Sequence, residues 1–413
     1  MLRDIFGQAI GAMRHNSRRS IITVVGMAWG IATVVLLLAY GAGFARAFEV
    51  IFAQWGTNLI GVFPGRTSQQ VGGDKAGVQV RLTMDDVDRI AANVPGVIAV
   101  VPYYEKDNVA VSNEDHNFSW EVDGVTPEYP TVVHHAMDYG KFITQADVDQ
   151  RAHVVVLGSE AKQKLFSGRY PLGQTVRLNG ISFQVVGIME PHMQEGDDNV
   201  NRTLMIPDTT MGDLKDPKYL DGIWFTYKGN YQQVEDAARQ TLAEAHGFRS
   251  NDKNAIHVAN LMQQLSQFRI MSIALQILLA FIGALTLGIA GIGLMNIMLV
   301  SVQQRTKEIG IEKALGARKR HILLQFMAEA MVITTVGGAG GILLAYIVSI
   351  CVGRIPFYSA IASNATDADI QLLISGSSVL VATIILILVG VISGMIPAIR
   401  AANLDPIEAL RYE

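Results

Sequence analysis

Cysteine is nearly absent from this chain: Cys351 is the only one in 413 residues, so no intramolecular disulfide can form. That absence does not assign a redox compartment, because extracytoplasmic domains large enough to bury a core often have none. Charge is also scarce, at 17% of residues against 50% hydrophobic. A mean hydropathy of +0.28 is high for a soluble protein and low for one buried wholly in lipid, so a mixed architecture is expected. The net charge of -4 lacks the basic excess on which nucleic-acid binding draws. Catalytic signatures are missing too. There is no Gly-x-x-x-x-Gly-Lys-Ser/Thr loop to cradle phosphates, and no His-Glu-x-x-His, Cys-x-x-Cys or Gly-x-Ser-x-Gly. The expectation is a non-catalytic chain with no cofactor, no metal and no nucleic-acid partner.

What the chain does have is four long uncharged runs: Ile21 to Phe44, Ile270 to Val302, Ala330 to Gly353 and Ile370 to Ile399. Each exceeds the roughly 20 apolar residues that cross a bilayer. The first is too long for the h-region of a cleavable signal peptide. Basic residues cluster in the N-terminal segment (Arg3, Arg14, Arg18, Arg19), between runs two and three (Arg305, Lys307, Lys313, Arg318, Lys319, Arg320) and in the tail (Arg400, Arg411). All lie on one side only if both termini are cytoplasmic, which leaves residues 45–269 outside. Within the runs as bounded there is no charge, against an ion-coupled carrier with a midplane site. Small residues recur four apart, as Gly26 and Gly30, Gly337 and Gly341, Gly390 and Gly394. They predict close helix packing or dimerisation.

The expected fold class is an α+β membrane protein: four transmembrane helices, with a large extracytoplasmic α/β domain between the first and second. Three segments follow. Residues 1–44 hold an N-terminal interfacial helix, with Leu2, Ile5, Phe6, Ala9 and Ile10 on one face, and the first span. Residues 45–269 form the extracytoplasmic domain. Residues 270–413 hold three spans, a cytoplasmic loop and a tail. In the middle segment Leu59 to Phe63 predicts a strand ended by Pro64-Gly65. Thr83-Met84-Asp85-Asp86 resembles a capping box. Asn179-Gly180 between two alternating runs predicts a type I′ hairpin. Tyr231 to Ala245 has a helix pattern, and residues 256–267 are expected as a helical stalk entering the second span.

Two histidine clusters, His134-His135 with Met137 and Asp138, and His192-Met193 with Glu195, Asp197 and Asp198, are expected as solvated surface and not as metal ligands. Asp405-Pro406-Ile407-Glu408 predicts a short capped helix after a break at Pro397. The basic loop is more patterned than charge bias requires. Lys307, Glu308 and Lys313 alternate with Ile309, Ile311, Ala314 and Leu315, and Gly310 and Gly316 punctuate the run. Gly316-Ala317 could end one helix and let Arg318 start the next.

With these motifs in order, the chain resembles permeases of the MacB/FtsX type, the mechanotransmission class of ABC transporter. The resemblance rests on Asn16 to Ser20, Gly41 to Gly43, Gly56 to Ile60 with Pro64-Gly65, Val155 to Gly158, Pro171 to Gln174, Val185 to Gly187, Arg305 to Ala317, and Pro397 through Arg411. It implies a permease subunit in the bacterial inner membrane that transmits ATP-driven motion to its extracytoplasmic domain for efflux or export. It implies a second permease copy, as homodimer or paired heterodimer, and cytoplasmic ABC ATPase subunits. The ATPase is expected as a separate chain, because only about twenty residues precede the first span. A periplasmic adaptor and outer-membrane channel are further candidate partners. The coupling helix would lie within Arg305 to Ala317, through Arg305, Lys307, Glu308, Ile309, Gly310, Lys313, Ala314, Leu315, Gly316 and Ala317. The outer region would form two small α/β lobes, one inserted in the other. The alternative is a membrane-anchored extracytoplasmic receptor or regulator of a cell-envelope enzyme.

Overall fold

The structure is a computed structural model that describes residues 17–56, 58–69, 76–195 and 200–411. The expected interfacial helix lies outside the described residues. The chain divides into two compact units. One is helical and comprises residues up to Arg46, Ile270–Ile355 and Ile370 onward; the other is built on a sheet and comprises Ala47–Arg269 and Pro356–Asp369.

The long helices are α1 (Ser17–Ala53), then, after the short elements of the sheet unit, α7 (Leu261–Gln304), α9 (Lys319–Val352) and α10 (Gly376–Asn403). All four are long and apolar enough to cross a membrane. Their small residues sit where backbones approach. A Cβ added to Gly341 of α9 would lie 2.4 Å from the Ala28 carbonyl oxygen of α1, and one at Gly337 would lie 2.7 Å from Met27 Cβ. On α10, Gly390 faces Thr334 and Gly394 faces Ala330, at 2.8 and 2.6 Å by the same construction. Gly30 faces Leu287 of α7 at 3.0 Å. A Cβ added at Gly26 would meet no described atom within 4 Å; a four-residue step turns a 3.6-residue helix by about 40°, and among the described residues no helix covers that side at that level.

Two expectations for these helices need correction. Pro397 does not break α10, which runs on to Asn403 with Pro397 buried inside it. Proline removes one hydrogen bond, but neighbouring helices can hold the chain helical past it. The uncharged span before Gly353 belongs to a longer helix that includes Glu329, 7% exposed. Its Oε2 accepts a bond from Arg305 Nη1 at 3.3 Å.

The sheet unit contains α2 (Met84–Asn93), α3 (Tyr129–Val133), α4 (Gln145–Asp149), α5 (Ser159–Phe166) and α6 (Tyr231–His246). Its strands in chain order are β1 (Leu59–Pro64), β2 (Val97–Ser112), β3 (Asn117–Val125), β4 (Met137–Gly140), β5 (Val154–Leu157), β6 (Thr175–Leu178), β7 (Ile181–Met189), β8 (Gln194–Glu195), β9 (Leu204–Pro207), β10 (Gly222–Tyr227) and β11 (Ile256–Asn260). The main sheet has the order β11-β1-β10-β2-β3-β9-β5-β7-β4, with β6 joining β2 and β7. The 16-residue β2 pairs with β10 along its first half and with β3 and β6 along its second. The chain thus leaves the β1–β10–β11 half through β2 and returns at β10, and the intervening half is an insertion that shares that strand. The expected stalk starts late: residues 256–260 are β11, paired with β1, and helix begins at Leu261.

Local signals produced their elements. Asn179 (φ 47) and Gly180 (φ 88) both take the left-handed conformation that a two-residue I′ hairpin demands, and they join β6 to β7. Thr83 and Asp86 form the reciprocal capping box that opens α2. Val, Ile and Phe alternate on the strands, and Phe183, Phe225 and Tyr227 anchor one core that runs under both halves. The 356–369 segment was not expected here. Its strand β13 (Ala362–Ser363) pairs with β8, and Asp369 Oδ1 accepts bonds from the backbone N–H groups of Phe357 (2.9 Å) and Ser359 (3.0 Å). Flanking it in the helical unit, β12 (Arg354–Ile355) pairs with β14 (Ile370–Gln371), so residues 370–371 are strand, not the start of α10.

Candidate functional site

In the helical unit, the patterned loop folds as α8 (Thr306–Ala314), packed beside α11 (Pro406–Arg411). Its end is a Schellman motif. Ala317 N–H bonds the Glu312 carbonyl and Gly316 N–H bonds the Lys313 carbonyl, with Gly316 at φ 101. Glycine alone takes that angle without strain. Asp405 opens α11 by accepting from Ile407 N–H at 2.8 Å.

The ten residues of the expected coupling segment divide into two groups. Ile309 and Gly310 are buried. Lys313 donates from Nζ to the Ala402 and Leu404 carbonyls at 2.8 and 2.5 Å, satisfying orphan acceptors at the C-terminus of α10. Burial disfavours the Lys313 charge first and Lys319 adds repulsion, so its pKa is lowered. Arg305 pairs with Glu308 and Glu329 and lies over the Phe326 ring. These four residues anchor the helix and do not offer free side chains to a partner; Ala317 is half-buried. Outward are Lys307, Glu308, Ala314, Leu315 and Gly316, with Ile311, which share one helix face or its end. Leu315 is 85% exposed and Ile407 of α11 is 78% exposed. Both are large apolar side chains left open beside charged ones.

The sheet unit carries a second site that sequence reasoning missed. Tyr103 and Glu105 alternate on β2, and Glu121 and Asp123 alternate on β3. Glu105 lies opposite Asp123 in the register, so the two-residue period brings all four side chains to one face. Tyr103 Oη lies 2.9 Å from Asp123 Oδ1 and 3.2 Å from Glu121 Oε1. A phenol has one proton to donate, so the second carboxyl completes the arrangement only by carrying its own. Burial first, then Glu121, drives the Asp123 carboxyl well above the ordinary range. Burial, then Glu121, Asp107 and Asp221, with Lys215 opposing, pushes Glu105 up to about 7. A register shift after Lys106, with Asn108 at φ 56, marks a bulge beside Glu105, a device that re-aims side chains next to sites.

These acids line a cavity of about 410 Å³ whose other walls include Phe52, Trp55, Phe63, Tyr129, Trp224 and Leu261. Gly61 opposes Trp224 across β1 and β10. A Cβ there would come within 2.6 Å of the indole, so the glycine lets the ring lie flat on the strand. Behind Trp55 and Tyr129 lie His135 and His192, both buried, with ring centroids 4.5 Å apart. The expectation of solvated histidines fails for these two, because aromatic rings enclose them. Burial lowers the His135 pKa to about 3, with His192 adding repulsion.

Comparison with known proteins decides the kinship. The family model described as the MacB-like periplasmic core domain matches residues 20–241, and that of the FtsX-like permease C-terminal region matches residues 280–406. The chain belongs to the MacB/FtsX-type permeases. It is 31% identical over 412 residues to a macrolide export ATP-binding/permease protein MacB of Bdellovibrio bacteriovorus, covering 98% of this chain and 61% of that one. A pyoverdine export ATP-binding/permease protein of Pseudomonas syringae pv. tomato is 32% identical over 422 residues, covering 100% of this chain and 60% of that one. The chain therefore spans about three-fifths of the curated relatives it matches. Among solved structures, the periplasmic region of MacB from Actinobacillus actinomycetemcomitans aligns with a TM-score of 0.43 at 22% identity, covering 54% of this chain and 98% of that one. As a MacB/FtsX-type permease with four helices long and apolar enough to cross a membrane, the chain is a multi-pass membrane protein.

Proposed function

We propose that this permease couples an ABC ATPase to an extracytoplasmic sheet unit, with α8 and α11 forming the surface on which the ATPase docks. Both termini and α8 are cytoplasmic in this reading, which the one-sided basic residues support. The observation that carries it is the division of labour within α8. Arg305 and Lys313 tie the helix to α9 and α10, while Ile311 and Leu315 stay open, as does Ile407 of α11, the helix packed beside it. A helix fixed from behind and apolar in front transmits a push without absorbing it. α1 and α7 are unbroken helices of 37 and 44 residues, suited to carry that displacement. The chain has no phosphate-cradling loop, so hydrolysis belongs to residues outside these 413, and a second permease copy would complete the assembly. Relatives named for macrolide and pyoverdine export match about equally, so cargo is not assigned.

The test is Leu315→Glu with Ile311→Glu, compared with Lys313→Met. The double change should abolish stimulation of the ATPase and its co-purification while the permease stays folded. Lys313→Met should lower thermal stability and leave the docking face chemically intact. Full coupled activity in the double variant at normal expression would sink the reading. So would labelling of a cysteine placed at Lys307 by an impermeant reagent from outside intact cells.

A further inference from the structure

The reading of α8 and α11 gives the acid-floored cavity of the sheet unit no part, and its chemistry is specific. Asp123 is 2% exposed, and among the described residues no lysine or arginine lines the cavity. The ammonium that acts on Glu105, Lys215, is engaged with Asp221 and the Glu105 carbonyl. Buried carboxyls without a cation are costly unless they hold protons. Around them stand aromatic faces, which favour a positive charge by their quadrupoles. A second, independent sign is Trp224 Nε1, a buried N–H on a lining residue with no hydrogen-bond partner. Buried donors are nearly always satisfied, so this one is left for an acceptor that none of the described residues supplies. The volume falls within the range that takes small organic molecules, about 300–1,000 Å³.

We propose that this cavity binds an organic monocation, a protonated amine on an aromatic body that also carries a hydrogen-bond acceptor for Trp224 Nε1–H, with the ammonium toward Asp123, Glu121 and Glu105 and the body against Trp55, Phe63 and Trp224. A divalent metal is the competing occupant, because carboxylate oxygens of Glu105, Asp107 and Glu121 lie within 4.8 Å of one another. The walls decide between them. A hard cation needs six or more oxygen ligands, whereas the enclosure is largely aromatic and Asp107 points to solvent. Binding displaces protons held by the cluster. Glu105 faces Glu121 and Asp123 from β3, Asp107 from its own strand, Asp221 before β10 and Lys215 on the preceding loop, and it gains charge as pH rises through about 7. Affinity for a cation should therefore rise from about pH 6 to about pH 8. The inference rests on the sheet unit alone and stands or falls separately from ATPase docking.

The full chain in lipid nanodiscs would be titrated calorimetrically with tyramine and with its neutral counterpart, the alcohol 4-(2-hydroxyethyl)phenol, against empty nanodiscs. Saturable amine binding at about pH 8, at least about tenfold tighter than the alcohol, is expected. Asp123→Asn and Glu105→Gln should each weaken the amine about tenfold and leave the alcohol unchanged. Glu105→Gln is the safer variant for folding, and it should also flatten the pH dependence. Equal affinity for amine and alcohol, absence of saturable amine binding, or indifference of the amine to Glu105→Gln would overturn the proposal. Saturable Ca²⁺ binding lost in Glu105→Gln, without amine binding, would overturn it in favour of a metal site.

Discussion

The two units use the same apolar residue types in opposite ways. In the sheet unit the largest apolar side chains, such as Phe183 and Phe225, are fully buried, and water drives them inward. In the helical unit Phe281, Ile289 and Leu343 are 61%, 72% and 63% exposed, while glycine and alanine occupy the contacts. With lipid as solvent there is no gain in hiding leucine, and association falls to close backbone packing. One unit is therefore sensitive to losing volume, the other to gaining it.

That contrast can be tested by exchanging the insults. Phe225→Ala should cost the sheet unit about 3–5 kcal/mol through its cavity, read as a lowered unfolding midpoint of tryptophan fluorescence. Gly341→Leu, which forces a side chain against the Ala28 backbone, should cost about 1–3 kcal/mol or more by overpacking, read by thermal aggregation in detergent. Gly26→Leu, with no neighbour, should stay within about 0.5 kcal/mol. If the two glycine variants behaved alike, intrachain packing would not be what the small residues serve.

Another contrast concerns acid. Burial opposes the charge of Asp86, yet bonds from His246, the Thr83 backbone and Arg89 hold its pKa below the ordinary value of 3.8. A lowered acid contributes stability above its unfolded pKa and loses it as pH falls through the folded one. Asp86→Asn should thus destabilise the sheet unit at neutral pH by about 2 kcal/mol and flatten its loss of stability below about pH 4. Glu105 has the opposite sign: raised to about 7, it erodes stability as pH climbs from about 4.5. Chemical denaturation at a series of pH values separates the two.

What the sequence made legible was local. Asn179-Gly180, the Thr83 box and the Gly316 stop each depend on a few adjacent residues, and each formed as expected. The four spans were legible because lipid demands long uncharged runs, but their ends were not. Helices continue past the apolar stretch wherever packing supports them, as α10 does beyond Pro397. The inner face of α8 was missed for the same reason: nothing near Lys313 in sequence reveals that its ammonium caps a helix ending some ninety residues later. The cavity draws on β1, β2, β3, β10 and three helices, α1, α3 and α7. Its sequence trace is the alternation Tyr103-x-Glu105 and Glu121-x-Asp123, which by itself does not distinguish a site from an ordinary strand.

The placement of Pro356–Asp369 has a practical consequence for anyone recombining such permeases. The sheet unit is not a single cassette between two spans. The chain passes between the units at 46/47, 269/270, 355/356 and 369/370, so four junctions and not two define it. A chimaera that swaps residues 47–269 alone would separate β8 from its native partner strand β13. Exchange between relatives should succeed only as a two-piece transplant, and substitutions in the 356–369 loop should co-vary with the β8 region and not with the helices that flank them.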